Sequence, residues 1–368
     1  MSSVRSPVPW IFLAIVMATP VAELARGSWP GRKVAWDRGS FRRGELAARV
    51  ETSLARESGV ARSLRPYYDE ALYVALGAAT PKVVVGRDKW LFLAGTVRGF
   101  DSARDRARLE DVSELVASLD RWLAARGTTM LVAPVPSKAA VYGGKLPHPP
   151  PAARTLDAMT RHGISALDLG PALDPGAGDT YLSNDEHWSP LGARRACEAI
   201  AAWLRARTGG ALPGAAVSGT IATGPPALHR GDLLGMLGFR KGGRLEARFL
   251  VPVRDVLGAG PSGSELRFEA PEAIVVAGTS FSFVGHVGSL LSVMLERMVE
   301  ERTTAGLGPA ASTVTLVEDI RAGKRPAPAI LVWEIPERHI YDERLAPRLR
   351  ALLAGRREST AGEEEARE

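Results

Sequence analysis

The chain has 368 residues, which is enough for one large domain or two small ones with an ample core. Hydrophobic residues make up 45% and charged residues 24%, which is ordinary for a globular protein and excludes wholesale disorder. The net charge is +6, but basic residues alternate with acids and form no stripe with aromatics, so we expect no nucleic-acid partner. The single cysteine, Cys197, excludes an intramolecular disulfide framework and a cysteine-based zinc site.

An apolar run over residues 8–22 opens the chain and suits a signal-peptide core or a short membrane anchor. No clean small-x-small cleavage site follows it, which favours an uncleaved signal-anchor over residues 1–28. A cleaved signal peptide and a buried helix are the alternatives. Residues 29–81 are charged and alanine-rich, which predicts a helical connector. The acidic C-terminus predicts a disordered tail over 355–368.

Residues 82–354 alternate short apolar strands with amphipathic helices, which predicts a parallel sheet with helices on both faces. The predicted elements are paired strands within 83–93, a helix at 104–126, a strand at 130–135, a helix at 152–161, a strand at 164–169, a helix at about 190–207, a strand from 274, a helix at 281–302, strands at 314–317 and 330–334, and a last helix ending near 353. Residues 209–270 are instead rich in glycine and proline, which predicts an inserted lid of mixed β-strand and loop.

A carboxylate and an imidazole stand two positions apart, at Asp185 and His187, just before a serine and a proline that predict a helix start. The carboxylate can fix the tautomer of the ring, which leaves the other ring nitrogen free to act as a base. Metal sites and plain surface loops carry the same pattern, so the pattern alone leaves the role of His187 open.

A candidate nucleophile, Ser280, follows a predicted buried strand through a tight turn at Gly278 and Thr279. Such a turn exposes a serine at a helix N-terminus, where backbone N–H groups favour negative charge. An ordinary N-cap serine is the alternative. Together with His187 and Asp185, the serine completes a possible nucleophile, base and orienting acid.

Further polar residues lie near predicted strand ends, where ligands gather on open α/β sheets. Lys138 follows one such strand and is a candidate for substrate contact, with a solvated lysine as the alternative. Glu334 and Arg338 follow a later strand and are candidates for substrate binding, as is Trp188 beside the base. A plain surface pair between Arg338 and Glu337 is the alternative there.

The remaining histidines carry less information. His286 falls on the helix predicted after Ser280, so its side chain is a candidate to face the site. The other four have no partner evident in the sequence and are predicted to be structural: His148, His162, His229 and His339. The chain has no Walker loop, dinucleotide fingerprint or His-Glu-x-x-His motif, so we expect no cofactor and no metal.

Five short motifs occur in one order between residues 83 and 339. They are Gly86-x-Asp88-x-Trp90-Leu-Phe92, Val135-Pro136-Ser137-Lys138, Asp185-x-His187-Trp188, Gly278-Thr279-Ser280-Phe281-Ser282 and Trp333-Glu334-x-x-Glu337-Arg338. In this set the chain resembles the SGNH-hydrolase-like O-acetyltransferases of the AlgJ and AlgX type, which act on exported polysaccharides. We expect it to be closer to AlgJ, because we find no tail long enough for a separate carbohydrate-binding module.

The resemblance implies Ser280 as nucleophile, His187 as general base and Asp185 as its orienting acid. It implies a flavodoxin-like SGNH core in which the Asp-His pair precedes the serine, an order permuted relative to ordinary SGNH esterases. Chain order is no objection, because a triad is defined by its geometry. Glu186 stands where the family more often has threonine.

The family likeness also implies a periplasmic location with an N-terminal anchor in the inner membrane. It implies an acetyl donor supplied through a multispanning membrane acyltransferase. We therefore expect an O-acetyltransferase that forms an acetyl-serine and passes the acetyl group to a polysaccharide hydroxyl. A carbohydrate acetylesterase with the same triad is one alternative, and a non-catalytic polysaccharide-binding or export scaffold is the other.

Overall fold

A computed structural model describes residues 58–77, 80–267, 271–304 and 306–355, together with a few isolated positions before residue 58. Nearly all of the predicted signal-anchor at 1–28, about half of the predicted connector and nearly all of the predicted tail lie outside the described residues. None of the helices in the described ranges combines the length and the hydropathy that crossing a membrane requires.

The helices are labelled in chain order. They are α1 (Gly59–Leu76), α2 (Ala94–Val97), α3 (Ala103–Ala124), α4 (Lys138–Val141), α5 (Thr155–Arg161), α6 (Gly170–Leu173), α7 (Pro190–Thr208), α8 (Asp232–Met236), α9 (Arg244–Ala247), α10 (Ser280–Val284), α11 (Val287–Leu295), α12 (Ala311–Arg321), α13 (Glu337–Ile340) and α14 (Leu345–Leu353). Single 3-10 turns cover Arg87–Lys89, Gly143–Lys145 and Pro175–Ala177.

The strands are numbered in the same way. They are β1 (Val83–Val85), β2 (Leu91–Leu93), β3 (Thr129–Val135), β4 (Thr220–Thr223), β5 (Ala227–His229), β6 (Val251–Val253), β7 (Val256–Ala259), β8 (Ile274–Gly278), β9 (Val299–Thr303) and β10 (Ile330–Pro336). The predicted pair within 83–93 is confirmed, because β1 and β2 pair antiparallel.

The chain divides into two compact units, Met1–Thr80 with Leu237–Arg248, and Pro81–Met236 with Phe249–Glu368. In the first unit, the side chains of Arg240 and Glu70 form an ion pair at 2.9 Å. In the second unit, the four strands β3, β10, β8 and β9 form a parallel sheet in that order. All residues of the central strands β8 and β10 are buried, as expected for a parallel sheet covered on both faces.

The sheet separates two hydrophobic cores, and neighbouring residues of a strand point to opposite ones. Val276 packs in a core with Ile200 of α7 and Leu290 of α11. Val275 packs in the other core, with Leu109 of α3 and with side chains of α12 and α14. The predicted α/β fold with helices on both faces is therefore confirmed.

Two of the long helices begin as their sequences predict. At the start of α3, Ser102 and Asp105 form a capping box: Oγ of Ser102 accepts from the Asp105 N–H at 3.1 Å, and the Asp105 carboxylate accepts from the Ser102 N–H at 3.2 Å. At the start of α7, Oγ of Ser189 accepts from the Gly192 N–H at 3.1 Å and Pro190 occupies the first turn. The second cap fixes the direction in which the chain leaves the segment of His187.

The predicted helix at 281–302 is wrong in its length. The chain forms α10 and α11 and then the edge strand β9. The two breaks fall at His286 and Glu296, whose backbones adopt the left-handed region at φ 51° and 54°. Each break turns the chain, so the serine lies on a helix of only five residues.

The strand predicted at 314–317 is also wrong, because these residues lie within α12. Apolar residues recur every three positions, at Val314, Val317 and Ile320, which is the spacing of one helix face. This spacing predicts a helix, whereas the short apolar run alone suggests a strand. The strand predicted at 164–169 is reduced to a single parallel bridge between Val132 and Ala166. The sheet therefore has four strands where five were expected.

Residues 209–267, the described part of the predicted lid, contain four short strands and the helices α8 and α9. The strands form two nested antiparallel ladders, with β5 and β6 paired inside the pair of β4 and β7. The first helix after β5 is α8, which begins at Asp232. His229 is the last residue of β5, so the pairing of β5 with β6 fixes the position of its backbone.

Candidate active site

Ser280 is the first residue of α10 and follows β8 through a turn of one residue, Thr279. Oγ1 of Thr279 accepts a hydrogen bond from the Phe281 N–H at 3.3 Å and caps the helix. A Cβ added at Gly278 would lie 2.1 Å from Oγ of Ser282, so the turn has no room for a side chain there. The local sequence therefore places Ser280, which is partly exposed, just after the carboxyl end of the central strand β8.

A buried carboxylate on the neighbouring strand fixes this turn. Glu334 accepts from the Thr279 N–H at 2.7 Å, from Oγ1 of Thr279 at 3.0 Å and from Oγ of Ser282 at 2.9 Å. Burial raises the pKa of Glu334, although these hydrogen bonds oppose the rise. The side chain predicted to bind substrate is 1% exposed and instead holds the backbone on both sides of Ser280.

The histidine lies on the short segment that leads into α7. Its neighbour Trp188 donates from Nε1 to the backbone oxygen of Phe281 at 3.0 Å, and the two rings meet edge to face at 5.3 Å. The ring of His187 lies 4.7 Å from the ring of Phe281. Because Trp188 is 1% exposed, it joins the His187 segment to the serine helix rather than reaching a substrate.

The three residues predicted as a triad come together, although 93 positions of sequence separate His187 from Ser280. Nε2 of His187 lies 2.8 Å from Oγ of Ser280, and Nδ1 of His187 lies 2.7 Å from Oδ1 of Asp185. Both distances are those of direct hydrogen bonds. If Nδ1 carries the ring proton and donates it to the carboxylate, Nε2 is left to accept the proton of the serine hydroxyl.

The surroundings set the protonation of this pair. Burial acts to raise the pKa of Asp185, but hydrogen bonds from His187 and His229 outweigh it and hold that pKa well below its usual range. Burial acts to lower the pKa of His187, but the hydrogen bond and charge of Asp185 outweigh it and raise that pKa above 6.5. Asp185 is therefore an anion at neutral pH, and the His187 ring becomes protonated as the pH falls, which removes Nε2 as a proton acceptor.

Two residues of the segment 209–270 also reach Asp185. Nε2 of His229 lies 2.7 Å from Oδ2 of Asp185, and the Asp232 N–H donates to the same oxygen at 3.2 Å. Sequence reasoning left His229 as structural and did not single out Asp232. No local signal could have found them, because 44 and 47 positions separate them from Asp185.

Asp232 itself lies beside the pair. Its Oδ2 is 3.9 Å from Nδ1 of His187, and its Oδ1 accepts from the Glu186 N–H at 2.8 Å. Burial and the negative charge of Asp185 raise the pKa of Asp232 to about 7. Its charge therefore changes near neutral pH, next to the base.

Lys138 does not occupy the position expected of a substrate contact. Its side chain is 0% exposed, and four backbone oxygens lie 2.6–3.0 Å from Nζ and share its three N–H donors. These oxygens belong to Leu91, Leu182, Ser183 and Asp185. Burial lowers the pKa of Lys138 to about 7, against the opposing charges of Glu186 and Asp185. The lysine ties the segment of the base to strand β2.

Arg338 differs from the other predicted substrate contacts because its side chain is 22% exposed. Its Nη1 lies 3.5 Å from Oε1 of the buried Glu186, and its guanidinium lies 5.5 Å from the centre of the Phe281 ring. Burial raises the pKa of Glu186, although the charge of Arg338 opposes the rise. Glu186 therefore faces an arginine at the edge of the site.

His286 does not join the hydrogen-bond network of Ser280. Its Nδ1 pairs with Oε1 of Glu265 at 2.8 Å. Among the histidines predicted to be structural, His162 pairs with Glu110 at 3.0 Å on the surface. His229 is the one of those four found in contact with the predicted triad within the described residues.

Asp185, His187 and Asp232 are the one group in the described ranges whose ligand atoms lie close enough to share a metal ion, within 4.8 Å of one another. Two of these atoms, Nδ1 of His187 and Oδ1 of Asp185, are already joined by a 2.7 Å hydrogen bond. Backbone N–H groups occupy oxygens of both carboxylates. The arrangement is that of a hydrogen-bonded acid and base.

Two curated proteins are similar to this chain in sequence over most of its length. A probable alginate O-acetylase AlgJ of Pseudomonas aeruginosa is 28% identical over an alignment that covers 92% of this chain and 91% of that protein. The AlgJ of Pseudomonas putida, also named a probable alginate O-acetylase, is 27% identical over an alignment that covers 81% of this chain and 80% of that protein.

Solved structures show the same fold. The O-acetyltransferase domain of Pseudomonas putida AlgJ superposes with a TM-score of 0.58 at 23% identity, over 74% of this chain and 99% of that one. Pseudomonas aeruginosa AlgX superposes with a TM-score of 0.51 at 20% identity, over 75% of this chain and 67% of that one. The SGNH-like fold expected from the five motifs is confirmed.

The profile of the family described as "SGNH hydrolase-like domain, acetyltransferase AlgX" matches residues 83–337. That range begins at β1 and ends at the first residue of α13, so it includes the parallel sheet, Asp185, His187 and Ser280. The resemblance inferred from the motifs is confirmed, and the chain belongs to the AlgX-type family of SGNH hydrolase-like acetyltransferase domains.

Proposed function

We propose that the protein is a periplasmic O-acetyltransferase that moves acetyl groups onto hydroxyls of an exported polysaccharide through an acetyl-serine at Ser280. The observation that carries the proposal is the 2.8 Å contact between Oγ of Ser280 and Nε2 of His187, which Asp185 holds from the other side of the ring. Family membership supports the reaction class, and the relatives named alginate O-acetylase support a polysaccharide acceptor.

In the first half of the reaction, Nε2 of His187 takes the proton of the Ser280 hydroxyl while Oγ bonds to the acetyl carbonyl carbon. The tetrahedral intermediate collapses, the donor leaves with the proton from His187, and acetyl-Ser280 remains. Asp185 stays ionised throughout and stabilises the protonated ring. The depressed pKa of Asp185 suits this role.

In the second half, a sugar hydroxyl gives its proton to His187 and its oxygen attacks the acetyl carbon. Oγ of Ser280 leaves and recovers the proton, so that the acetyl ester forms on the sugar and the enzyme is regenerated. The N–H groups in the first turn of a helix have no acceptor within the helix. We therefore propose the Ser280 N–H, at the first position of α10, as one donor to the oxyanion.

Arg338 is our candidate for contact with the acceptor. It lies at the edge of the site, it is partly exposed, and its contact with Glu186 is a single one at 3.5 Å. A guanidinium has five N–H donors, which leaves donors for sugar or carboxylate oxygens. Lys138, Trp188 and Glu334, by contrast, are proposed as supports of the triad because all three are buried.

The cellular setting remains part of the proposal. We propose an inner-membrane anchor formed by residues 8–22 and an acetyl donor supplied through a multispanning membrane acyltransferase. Co-purification from membranes in mild detergent tests the partner. Recovery of the chain alone, in an active and folded form, would count against that partner.

The test of function follows acetyl transfer from a chromogenic acetyl ester to candidate oligosaccharides. Ser280→Ala and His187→Ala are each expected to lower the rate by about 10³-fold or more, because each removes a member of the triad. Ser262→Ala, on an exposed loop, is the matched control and should retain the rate.

The ratio of transfer to hydrolysis separates a transferase from an acetylesterase with the same triad. Transfer to at least one oligosaccharide in preference to water is the expected result. Hydrolysis of acetylated oligosaccharides without transfer would favour the esterase. Folded protein without any turnover would favour a polysaccharide-binding scaffold.

A further inference from the structure

Asp185 lies between two histidines. His187 contacts its Oδ1 at 2.7 Å, and His229 contacts its Oδ2 at the same distance. We propose that His229 is a positioning residue, which fixes the carboxylate of Asp185 and thereby sets the basicity of His187. This inference rests on the proposed function, since it assigns His229 a role in the same triad.

The position of the proton on His229 follows from the charge of its partner. Asp185 has a pKa well below its usual range and is an anion that only accepts hydrogen bonds. Nε2 of His229 must therefore carry a hydrogen and donate it to Oδ2. The His229 side chain is 32% exposed, so it forms this contact from the rim of the site.

The backbone holds His229 in place independently of its ring. Nδ2 of Asn184, the residue before Asp185, donates to the backbone oxygen of His229 at 2.9 Å and to that of Phe249 at 2.9 Å. His229 ends strand β5, which pairs with β6. The segment predicted as a lid is thereby joined to the segment of the base, and it contributes a side chain to the triad environment.

The carboxylate of Asp185 receives two donors on each oxygen. Oδ1 accepts from Nδ1 and from the backbone N–H of His187, and Oδ2 accepts from His229 and from the Asp232 N–H. Four donors fix both the position and the plane of the group. Because the carboxylate cannot rotate, its hydrogen bond to Nδ1 of His187 keeps the imidazole oriented toward Ser280.

The donor from His229 also acts on the electronics of the pair. It draws negative charge toward Oδ2, so the Oδ1 that faces His187 stabilises the protonated ring less. Three other charged groups lie near His187: Asp232 raises its pKa, Arg338 lowers it, and the buried Glu186 interacts with it by charge. The ammonium of Lys138 contacts the backbone oxygen of Asp185. Loss of the His229 donor should therefore raise the pKa of His187.

The test compares His229→Phe with His229→Gln in the full chain. Phenylalanine keeps a ring but removes the donor, and glutamine replaces the ring with an amide N–H that can reach Oδ2. His162→Phe is the matched control, because His162 pairs with Glu110 on the surface. The readout is the pH profile of kcat/KM for a chromogenic acetyl ester.

For His229→Phe we expect a fall in kcat/KM of about tenfold and an upward shift of the acid limb by about one pH unit, the size of one net hydrogen bond. His229→Gln should restore most of the rate and the wild-type acid limb. His162→Phe should match wild type. If a thermal melt shows that His229→Phe is unfolded, His229→Ala replaces it in the same comparison.

An unchanged acid limb in a folded variant without the donor would overturn the proposal. A loss of rate that glutamine does not restore would assign His229 a purely structural role and would also overturn it. Failure of the proposed function would look different, since wild type itself would then show no turnover that depends on Ser280.

Discussion

The two segments that meet at the candidate site, residues 278–282 around the serine and residues 182–188 around the base, are held by opposite kinds of groups. At the serine turn, the buried carboxylate of Glu334 accepts hydrogen bonds from the N–H and hydroxyl groups of Thr279 and Ser282. At the base segment, the buried ammonium of Lys138 donates to backbone oxygens.

The number of supporting segments also differs. Glu334 comes from β10, which is already paired with β8 in the sheet, so the carboxylate that holds the serine turn lies on a neighbouring strand. Trp188 and Ser312 each add one hydrogen bond, to the backbone oxygens of Phe281 and Gly278. The base segment depends on Lys138, on Asp232 and on His229, which come from α4, α8 and β5. The base is thus assembled from distant parts of the chain, and we expect it to be the more sensitive of the two to substitution.

The largest effect is expected from Lys138→Met, which tests the base segment. The change leaves up to four buried backbone oxygens without their donor, so we expect a loss of about 3 kcal/mol or more in the free energy of unfolding. Ester turnover should fall with it, because the segment carrying His187 loses its tie to β2. Urea unfolding and initial rates measure the two effects.

Lys145→Met is the matched control for that change. Lys145 forms an ion pair with the exposed Asp88 at 2.7 Å, and surface pairs contribute only about 0–1 kcal/mol. A Lys138→Met protein as stable and as active as this control would show that the ammonium is dispensable.

A smaller effect is expected from Glu334→Gln, which tests the serine turn. The amide keeps the shape and one acceptor but presents N–H groups to the donors of Thr279 and Ser282, so we expect a loss of about 2 kcal/mol. We expect kcat to fall about tenfold to a hundredfold as Ser280 shifts. Glu343→Gln, at a side chain that is 73% exposed, is the control.

Equal losses of unfolding free energy in Lys138→Met and Glu334→Gln would show that the two segments are equally sensitive to substitution. A larger loss at Glu334 would reverse it and make the serine turn the more dependent region.

Arg338→Gln tests the edge of the site, where the two segments meet. If Arg338 binds the acceptor, KM for the oligosaccharide should rise about tenfold, while formation of acetyl-Ser280 stays within about twofold of wild type. Arg344→Gln is the control, because Arg344 pairs with Asp342 on the surface. An unchanged KM in the Arg338 variant would show that another part of the site binds the acceptor.

The smallest effect is expected from Asp232→Asn and concerns pH. The pKa of Asp232 is raised to about 7, so its contribution to stability is fully present below the ordinary value near 3.9 and is lost as the pH rises through 7. At pH 8 the variant should therefore melt several degrees above wild type, and the difference should vanish toward pH 4. Asp255→Asn, on an exposed turn, should show no such trend.

The same comparison explains what the sequence could predict. Ser280 was predictable because an apolar strand, a glycine and a capping threonine stand next to it, and Asp185 and His187 because they share one short motif. The helix α3 was predictable from its apolar period, and α7 from the serine and proline at its start. These signals are local, so one stretch of sequence contains each of them.

The supporting groups could not be predicted in the same way. Lys138, Glu334 and Trp188 were identified as residues of interest, but their burial depends on tertiary packing, and a charged side chain near a strand end suggested contact with substrate. His229 reaches Asp185 only because β5 pairs with β6 and Asn184 holds its backbone. The pairing of β5 with β6 could not be predicted, because this glycine- and proline-rich segment has no alternating hydrophobic pattern.

The measurement that tests the account most directly is the intact mass of the protein after incubation with an acetyl ester. Wild type should gain one acetyl group, which peptide mapping should locate at Ser280, and neither Ser280→Ala nor His187→Ala should gain it. Acetylation that persists in folded Ser280→Ala, or its complete absence from folded wild type, would contradict an acetyl-serine mechanism at this site.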